Sequence, residues 1–243
     1  MLRNRRIGLS MTGIAQFISD RGTNELKEWM ENGFNVAKKY DKIYSEWFAI
    51  PESIKVTTIK PSGTLSLLAG ATPGIHYPES QYYIRRVRLA NNSPFIPILK
   101  ESGYDVESAV GQEESTSVVS FPVCVGENIR TLKNVSMWEQ LSLAALAQKY
   151  WADNSVSATI TFDPINEGNQ INDALNLFQY QLKAISFLPR LEYGAYAQMP
   201  YEEITKERYE EMLSNLLPLD FLNLFSAEAI GEKYCSNDSC SIL

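Results

Sequence analysis

The stretch IKVTTIKPSGTLSLLAG, Ile54 to Gly70, changes character twice in seventeen residues. Ile54, Val56, Thr57, Thr58 and Ile59 are β-branched and read as a strand. Lys60-Pro61-Ser62-Gly63 breaks the run, and Thr64 to Ala69 has the spacing of one or two helical turns. A loop of small residues between a strand and a helix can present free backbone N–H groups to an anion. Pro61 fixes the entry, Gly63 allows close approach, and Ser62 and Thr64 add hydroxyls, so a phosphate is the natural guest. The spacing is not that of a Walker loop, since no Gly-Lys-Ser/Thr follows. A capped helix after a strand, with no ligand, fits the same pattern.

Working outward, Asn4 to Asp20 reads as a short strand or turn entering a helix, bracketed by Gly8 and Gly13. Thr23 to Phe48 carries apolar residues at helical spacing and stops before Pro51. Gly70 to Pro78 is a loop turning at Pro73-Gly74. Tyr82 to Leu89 reads as a strand, Pro94 to Ser102 as a short helix, and Ser115 to Val125 as a strand. Pro122 places that last strand at an edge, a bulge or a strand end. Ser136 is a plausible N-cap for a helix running to Trp151. Ser155 to Phe162 reads as a strand with Val156, Ala158, Ile160 and Phe162 on one face. The pattern then predicts helices over Ile171 to Leu188, ending at Pro189, and over Tyr201 to Leu217. Alternating strands and helices imply an α/β fold with a largely parallel sheet or part of a barrel.

The 243 residues are 44% hydrophobic and 21% charged, which excludes disorder and suits one domain or slightly more. A net charge of −7 argues against non-specific nucleic-acid binding, and no apolar run is long enough to span a membrane. The basic start, Met1 to Arg6, is not followed by an apolar segment, so secretion is not expected. Three cysteines are too few for a disulfide scaffold and point to a reducing, cytoplasmic setting.

Cys235 and Cys240 stand apart in the terminal KYCSNDSCSIL. Asn237-Asp238 is turn material, and a dithiol on a loose arm suits thiol–disulfide exchange. Two incidental exposed thiols, or a metal site completed by Cys124 and the single histidine His76, are alternatives; nothing in the spacing supports the metal. In YYIRRVRL, Tyr82 to Leu89, Arg86 and Arg88 share a strand face and Arg85 takes the other. They could steer a polyphosphate or pair with local carboxylates. Asp153-Asn154 reads as a cap or turn, and Cys124 as a buried apolar thiol.

Taken together, NRRIGLSMTGIAQF, KPSGTLSLLAGATPGIHYP, YYIRRVRLA, YWADNSVSATITF and the terminal C-x4-C resemble, in this order, the C-terminal part of adenosylcobalamin-dependent (class II) ribonucleotide reductases. The resemblance covers essentially the whole chain and is nearest to the monomeric, triphosphate-reducing type. It implies the C-terminal half of a ten-stranded α/β barrel (residues 1–228) followed by a mobile redox tail (229–243). It implies radical reduction of ribonucleoside triphosphates with adenosylcobalamin as cofactor. By motif, Pro61, Ser62, Gly63 and Thr64 match the loop holding the substrate phosphates. Cys235 and Cys240 match the dithiol shuttle that thioredoxin re-reduces. Cofactor contacts would run from about His76 and Tyr77 into the region of Tyr82 to Arg88, Arg86 among them, and lie partly ahead of the tail.

The family's finger-loop motif, Asn-Pro-Cys-x-Glu, does not occur in the chain. The radical-bearing cysteine and the allosteric nucleotide site would then come from a separate N-terminal reductase half. A split-gene subunit, an intein-separated piece and a truncation are all compatible, and the chain alone is expected to be inactive. The competing reading is a non-catalytic α/β module that binds phosphate or docks thioredoxin.

Overall fold

The computed structural model describes residues 5–63, 65–126, 128–190, 197–220, 235–236 and 239–240. In chain order its elements are β1 (Arg6–Leu9), α1 (Ile14–Trp47), β2 (Lys55–Thr57), α2 (Leu65–Leu68), β3 (Tyr82–Ala90), α3 (Phe95–Glu101), β4 (Asp105–Ser108), β5 (Thr116–Cys124), α4 (Met137–Tyr150), β6 (Thr159–Phe162), α5 (Ile171–Phe178), β7 (Ser186–Pro189), β8 (Tyr201–Glu203), α6 (Lys206–Ser214), β9 (Cys235–Ser236) and β10 (Ser239–Cys240). They form two compact units. The first comprises Met1–Gln81 and Cys124–Ala195, the second Tyr82–Val123 and Tyr196–Leu243.

In the first unit the strands pair in parallel, β1 with β2 and β6 with β7, and an isolated parallel bridge joins Ile59 to Val156. Parallel neighbours need crossover connections, which α1, α4 and α5 supply. Gly22, at φ 82° and ψ 171°, breaks α1 where the sequence separates two helical stretches. Ser136 caps α4 by accepting from the Glu139 N–H at 3.2 Å. Met137, Leu141, Ala144 and Ala147 of α4 are buried with Val156, Ala158, Ile160 and Phe162, the face the alternation predicts. The fold is mixed α/β, with small sheets that are not closed among the described residues.

The second unit is built differently. Its sheet has the order β4-β5-β3-β8, and the β4–β5 and β3–β8 pairs are antiparallel. Pro122 lies beyond Ser120, where the β4 pairing ends, so its missing N–H breaks no rung there. In the tail, β9 and β10 pair antiparallel with Cys235 opposite Cys240. The expected boundary between residues 228 and 229 lies outside the described residues.

Two helical expectations are corrected. The helix from Ile171 stops at Phe178, and Ser186–Pro189 is a strand in register with β6, Ile160 opposite Phe187. Burying Leu182, Ile185 and Phe187 against the core overrides the helical spacing. Tyr201–Glu203 is likewise a strand, on β3, with the Tyr201 and Tyr83 rings 5.6 Å apart. The helix there begins after Thr205, whose hydroxyl accepts from the Arg208 N–H.

Candidate functional site

The end of β2 feeds the Lys60–Gly63 loop, and a set of hydroxyls sets its shape. Ser62 adopts a left-handed conformation at φ 48°, which is strained for a residue with a side chain. Thr12 donates to the Thr72 carbonyl at 2.9 Å, so the 2.8 Å contact between Ser62 Oγ and Thr12 Oγ1 takes its proton from Ser62. The Gly74 N–H donates to both hydroxyls, at 3.0 and 3.1 Å. Ser62 O accepts from the Ser66 N–H and starts α2. The Ser62 hydroxyl thus turns inward and locks the loop. Gly74 is required: at φ 53°, a Cβ there would sit 2.3 Å from the Lys60 carbonyl oxygen. Gln16 clamps the far side, accepting from Thr72 N–H and donating to the carbonyls of Gly70 and Val125. Pro61 is exposed, Ser62 and Gly63 are partly exposed, and Thr64 lies outside the described residues.

His76 and Tyr77 follow in the same unit. His76 Nε2 accepts from the Thr159 N–H at 3.0 Å, so the ring proton is on Nδ1, 3.2 Å from the Pro73 carbonyl. Burial lowers the His76 pKa, outweighing that carbonyl. Tyr77 is buried and donates to Glu139 at 3.1 Å, and Glu139 is ion-paired with Arg130. Burial, reinforced by the Glu139 charge, pushes the Tyr77 hydroxyl up to about 12.

Arg86 belongs to the second unit. Its guanidinium pairs with Glu202 and donates to the Met199 carbonyl at 3.2 Å, while its Nε is buried without a partner. Arg85 lies 4.5 Å from the centre of the Tyr201 ring. Cys124 is a free, partly buried thiol. No cluster of three or more metal-ligating side chains occurs among the described residues, and no helix there is long and apolar enough to cross a membrane.

The sequence reading missed the residues that hold this loop and its strand. Thr12 and Gln16 sit in the TGIAQ run, whose pattern says only that a helix begins. Asp153, read as a cap or turn, accepts from the N–H groups of Val56 and Thr57 and from the Thr57 hydroxyl, and so fixes the start of β2. Asn154 donates to the carbonyls of Ile7 and Thr57.

The chain matches the crystal structure of a B12-dependent (class II) ribonucleotide reductase with a TM-score of 0.76 and 34% identity, over 88% of this chain and 34% of that one. It is also 56% identical to the adenosylcobalamin-dependent ribonucleoside-triphosphate reductase of Euglena gracilis, over 99% of this chain and 34% of the relative. A probable enzyme of the same name from Dictyostelium discoideum is 56% identical over 100% of this chain and 32% of its own length. No family model matches. The chain is homologous to the C-terminal part of adenosylcobalamin-dependent ribonucleoside-triphosphate reductases, and it spans about a third of the length of these relatives.

Proposed function

We propose that the chain performs the C-terminal share of ribonucleoside-triphosphate reduction. It would act with an N-terminal reductase portion that supplies the radical-bearing cysteine. The observation that carries this is the 56% identity sustained over the whole chain. The parallel segments of the first unit, with helices between them, are in keeping with half of a larger α/β barrel. Within that reading, residues 61–64 hold the substrate's phosphates, and the inward Ser62 hydroxyl keeps the loop in shape. Residues 229–243 act as the redox arm.

The register of Cys235 opposite Cys240 supports a dithiol that closes on itself. One tail thiolate attacks the active-site disulfide and forms a mixed disulfide. The second tail thiol then displaces it, leaving the active site with two thiols and the tail oxidised by two electrons. Thioredoxin, as external dithiol, returns those electrons.

The relatives' names attach adenosylcobalamin to the whole enzyme, and a cobalamin would supply the initiating radical. His76, Tyr77 and Arg86 do not, as they stand, make a cradle for it. Both His76 ring nitrogens are engaged, the Tyr77 hydroxyl is committed to Glu139, and the one uncommitted Arg86 nitrogen is buried. His76, bonded to the Pro73 carbonyl and the Thr159 N–H, and Tyr77, bonded to Glu139, support the 70–78 loop.

The test is a chimera in which this chain replaces the homologous C-terminal third of the Euglena gracilis relative. It should form deoxynucleotides with adenosylcobalamin and the thioredoxin system, while this chain alone should not. Changing both tail cysteines to serine should abolish thioredoxin-driven turnover yet leave turnover driven by dithiothreitol. An inert but folded chimera, or a double variant still driven by thioredoxin, overturns the proposal.

A further inference from the structure

The loop and the tail leave one feature of the first unit without a role. Where α4 ends and the chain turns toward β6, a cleft of about 380 Å³ is lined by Phe34, Lys149, Tyr150, Trp151, Tyr180 and Lys183, among others. It shares no lining residue with the loop. Its floor is rigid. The Gln148 side-chain amide donates to the carbonyls of Ala152 and Asn154 and accepts from the Val156 N–H. Lys183 donates to the carbonyls of Asp153 and Asn154 at 2.5 and 3.1 Å.

Cations gather here although the chain is acidic. The ammonium groups of Lys27 and Lys149 lie 4.7 and 5.2 Å from the centre of the same Tyr150 ring. The two lysines, Lys27 foremost, hold the Tyr150 hydroxyl below its ordinary pKa. Among the described residues, Lys27, Lys149 and Lys183 form no ion pair with a carboxylate. The nearby Asp153 has Lys38 at 4.0 Å and spends its oxygens on the backbone of β2. Burial, with repulsion from Lys55 and Arg6, lowers the Lys183 pKa against the pull of the Asp153 charge. Lys27 and Lys149, held at one ring with no carboxylate ion-paired to either among the described residues, repel, and an anion between them relieves the repulsion. Beside them Tyr180 is 92% exposed, a free aromatic face. The volume is in the range of small-ligand sites.

We propose that this cleft binds a nucleoside polyphosphate, its phosphates on Lys149 and Lys183 and its base stacked on Tyr180. Lys27 adds charge across the Tyr150 ring. The site is independent of the proposed catalytic role of the loop, because neither Lys149 nor Tyr180 contributes to that loop.

Equilibrium dialysis of the whole chain against ATP, adenosine and inorganic tripolyphosphate tests it. ATP should bind saturably and more tightly than either fragment. Tyr180→Ala should weaken ATP by about five- to tenfold, as loss of a stacked base implies, and leave tripolyphosphate unchanged. Lys149→Glu should weaken ATP and tripolyphosphate together by at least about tenfold. Both residues are exposed, and circular dichroism would confirm that the variants fold. The proposal falls if ATP does not saturate at millimolar concentration. It falls equally if neither variant changes ATP binding, or if tripolyphosphate binds as tightly as ATP and Tyr180→Ala changes nothing.

Discussion

The two units satisfy their backbone groups with different emphasis. In the second, β3 and β5 are nine residues long and neighbours in an antiparallel sheet, where backbone bonds backbone. Its side chains bond backbone at exposed positions outside the ladder, as Gln198 bonds the Val110 N–H and the Ser108 carbonyl, and others form surface pairs such as Arg208–Glu211 and Lys206–Glu210. In the first, the parallel strands are three or four residues long, too short for many rungs. There side chains complete the ladder. Gln140 donates to the Thr161 carbonyl and accepts from the Thr161 N–H, as a neighbouring strand would. Asp153 does the accepting half for Val56 and Thr57, His76 for Thr159, and Gln148 for Val156. The lesson is that polar residues inside the first unit carry register, and register is what aims the Lys60–Gly63 loop.

The largest effect should come where backbone meets backbone. Gly74→Ala places a Cβ 2.3 Å from the Lys60 oxygen at a positive φ, with no flexible group able to yield. Strain and overpacking together should cost about 2–5 kcal/mol, read by urea denaturation. Gly103→Ala makes the matching intrusion in the second unit, 2.5 Å from the Asn215 oxygen at φ 85°. If the first unit depends on its loop as argued, Gly74→Ala also lowers hydrogen-exchange protection at Thr57 and Thr159, and Gly103→Ala does not. Equal loss of protection at those amides in both variants would break the comparison.

Next in size is Asp153→Ala. It strips the acceptor from two backbone N–H groups, while the Thr57 hydroxyl keeps the Trp151 carbonyl as its acceptor. Leaving buried donors unsatisfied costs about 1–3 kcal/mol each, moderated here by partial exposure of the site. Thermal denaturation should show the loss. Glu202→Gln, which removes the charge partner of Arg86 in the second unit, should cost at most about 1 kcal/mol, because the Glu202 side chain is half exposed to water and its amide oxygen can still accept from Arg86. A Glu202→Gln loss as large as that of Asp153→Ala would mean that charge pairs, not ladders, hold the second unit.

This division also explains what could be read from the sequence. The βα unit at Ile54–Gly70, the break at Gly22, the Ser136 cap and the buried face of Val156, Ala158, Ile160 and Phe162 follow from local pattern. The strands at Ser186–Pro189 and Tyr201–Glu203 do not, because each exists only by pairing with a distant strand. Thr12 meets Ser62 from fifty residues away, and Asp153 meets Val56 from ninety-seven. Hydropathy and spacing register neither contact. The residues of the loop were therefore legible, while those that position it were not.

The smallest effect separates the units by pH. At the alkaline end they should behave alike, since burial raises Tyr77 in the first unit and Tyr83 in the second, each to about 12. A phenol whose proton is held more tightly in the fold stabilises it below pH 10. That contribution is lost as pH climbs from 10 toward 12, so protection should fall in both units over that range. At the acid end only the first unit has a histidine. Burial lowers the His76 pKa, so below pH 6.5 the unfolded chain takes up a proton that the folded ring refuses. Stability therefore falls as pH drops, with a slope no steeper than about 1.4 kcal/mol per pH unit for a single proton. Hydrogen exchange, corrected for its intrinsic pH dependence, should show the acid loss at Thr159, whose N–H bonds the His76 ring. His76→Gln keeps a donor and an acceptor without a titrating group and should flatten the slope. An unchanged acid slope in His76→Gln would mean that the ring does not hold β6 to the 70–78 loop. The first unit would then lose one of the side-chain rungs that distinguish it from the second.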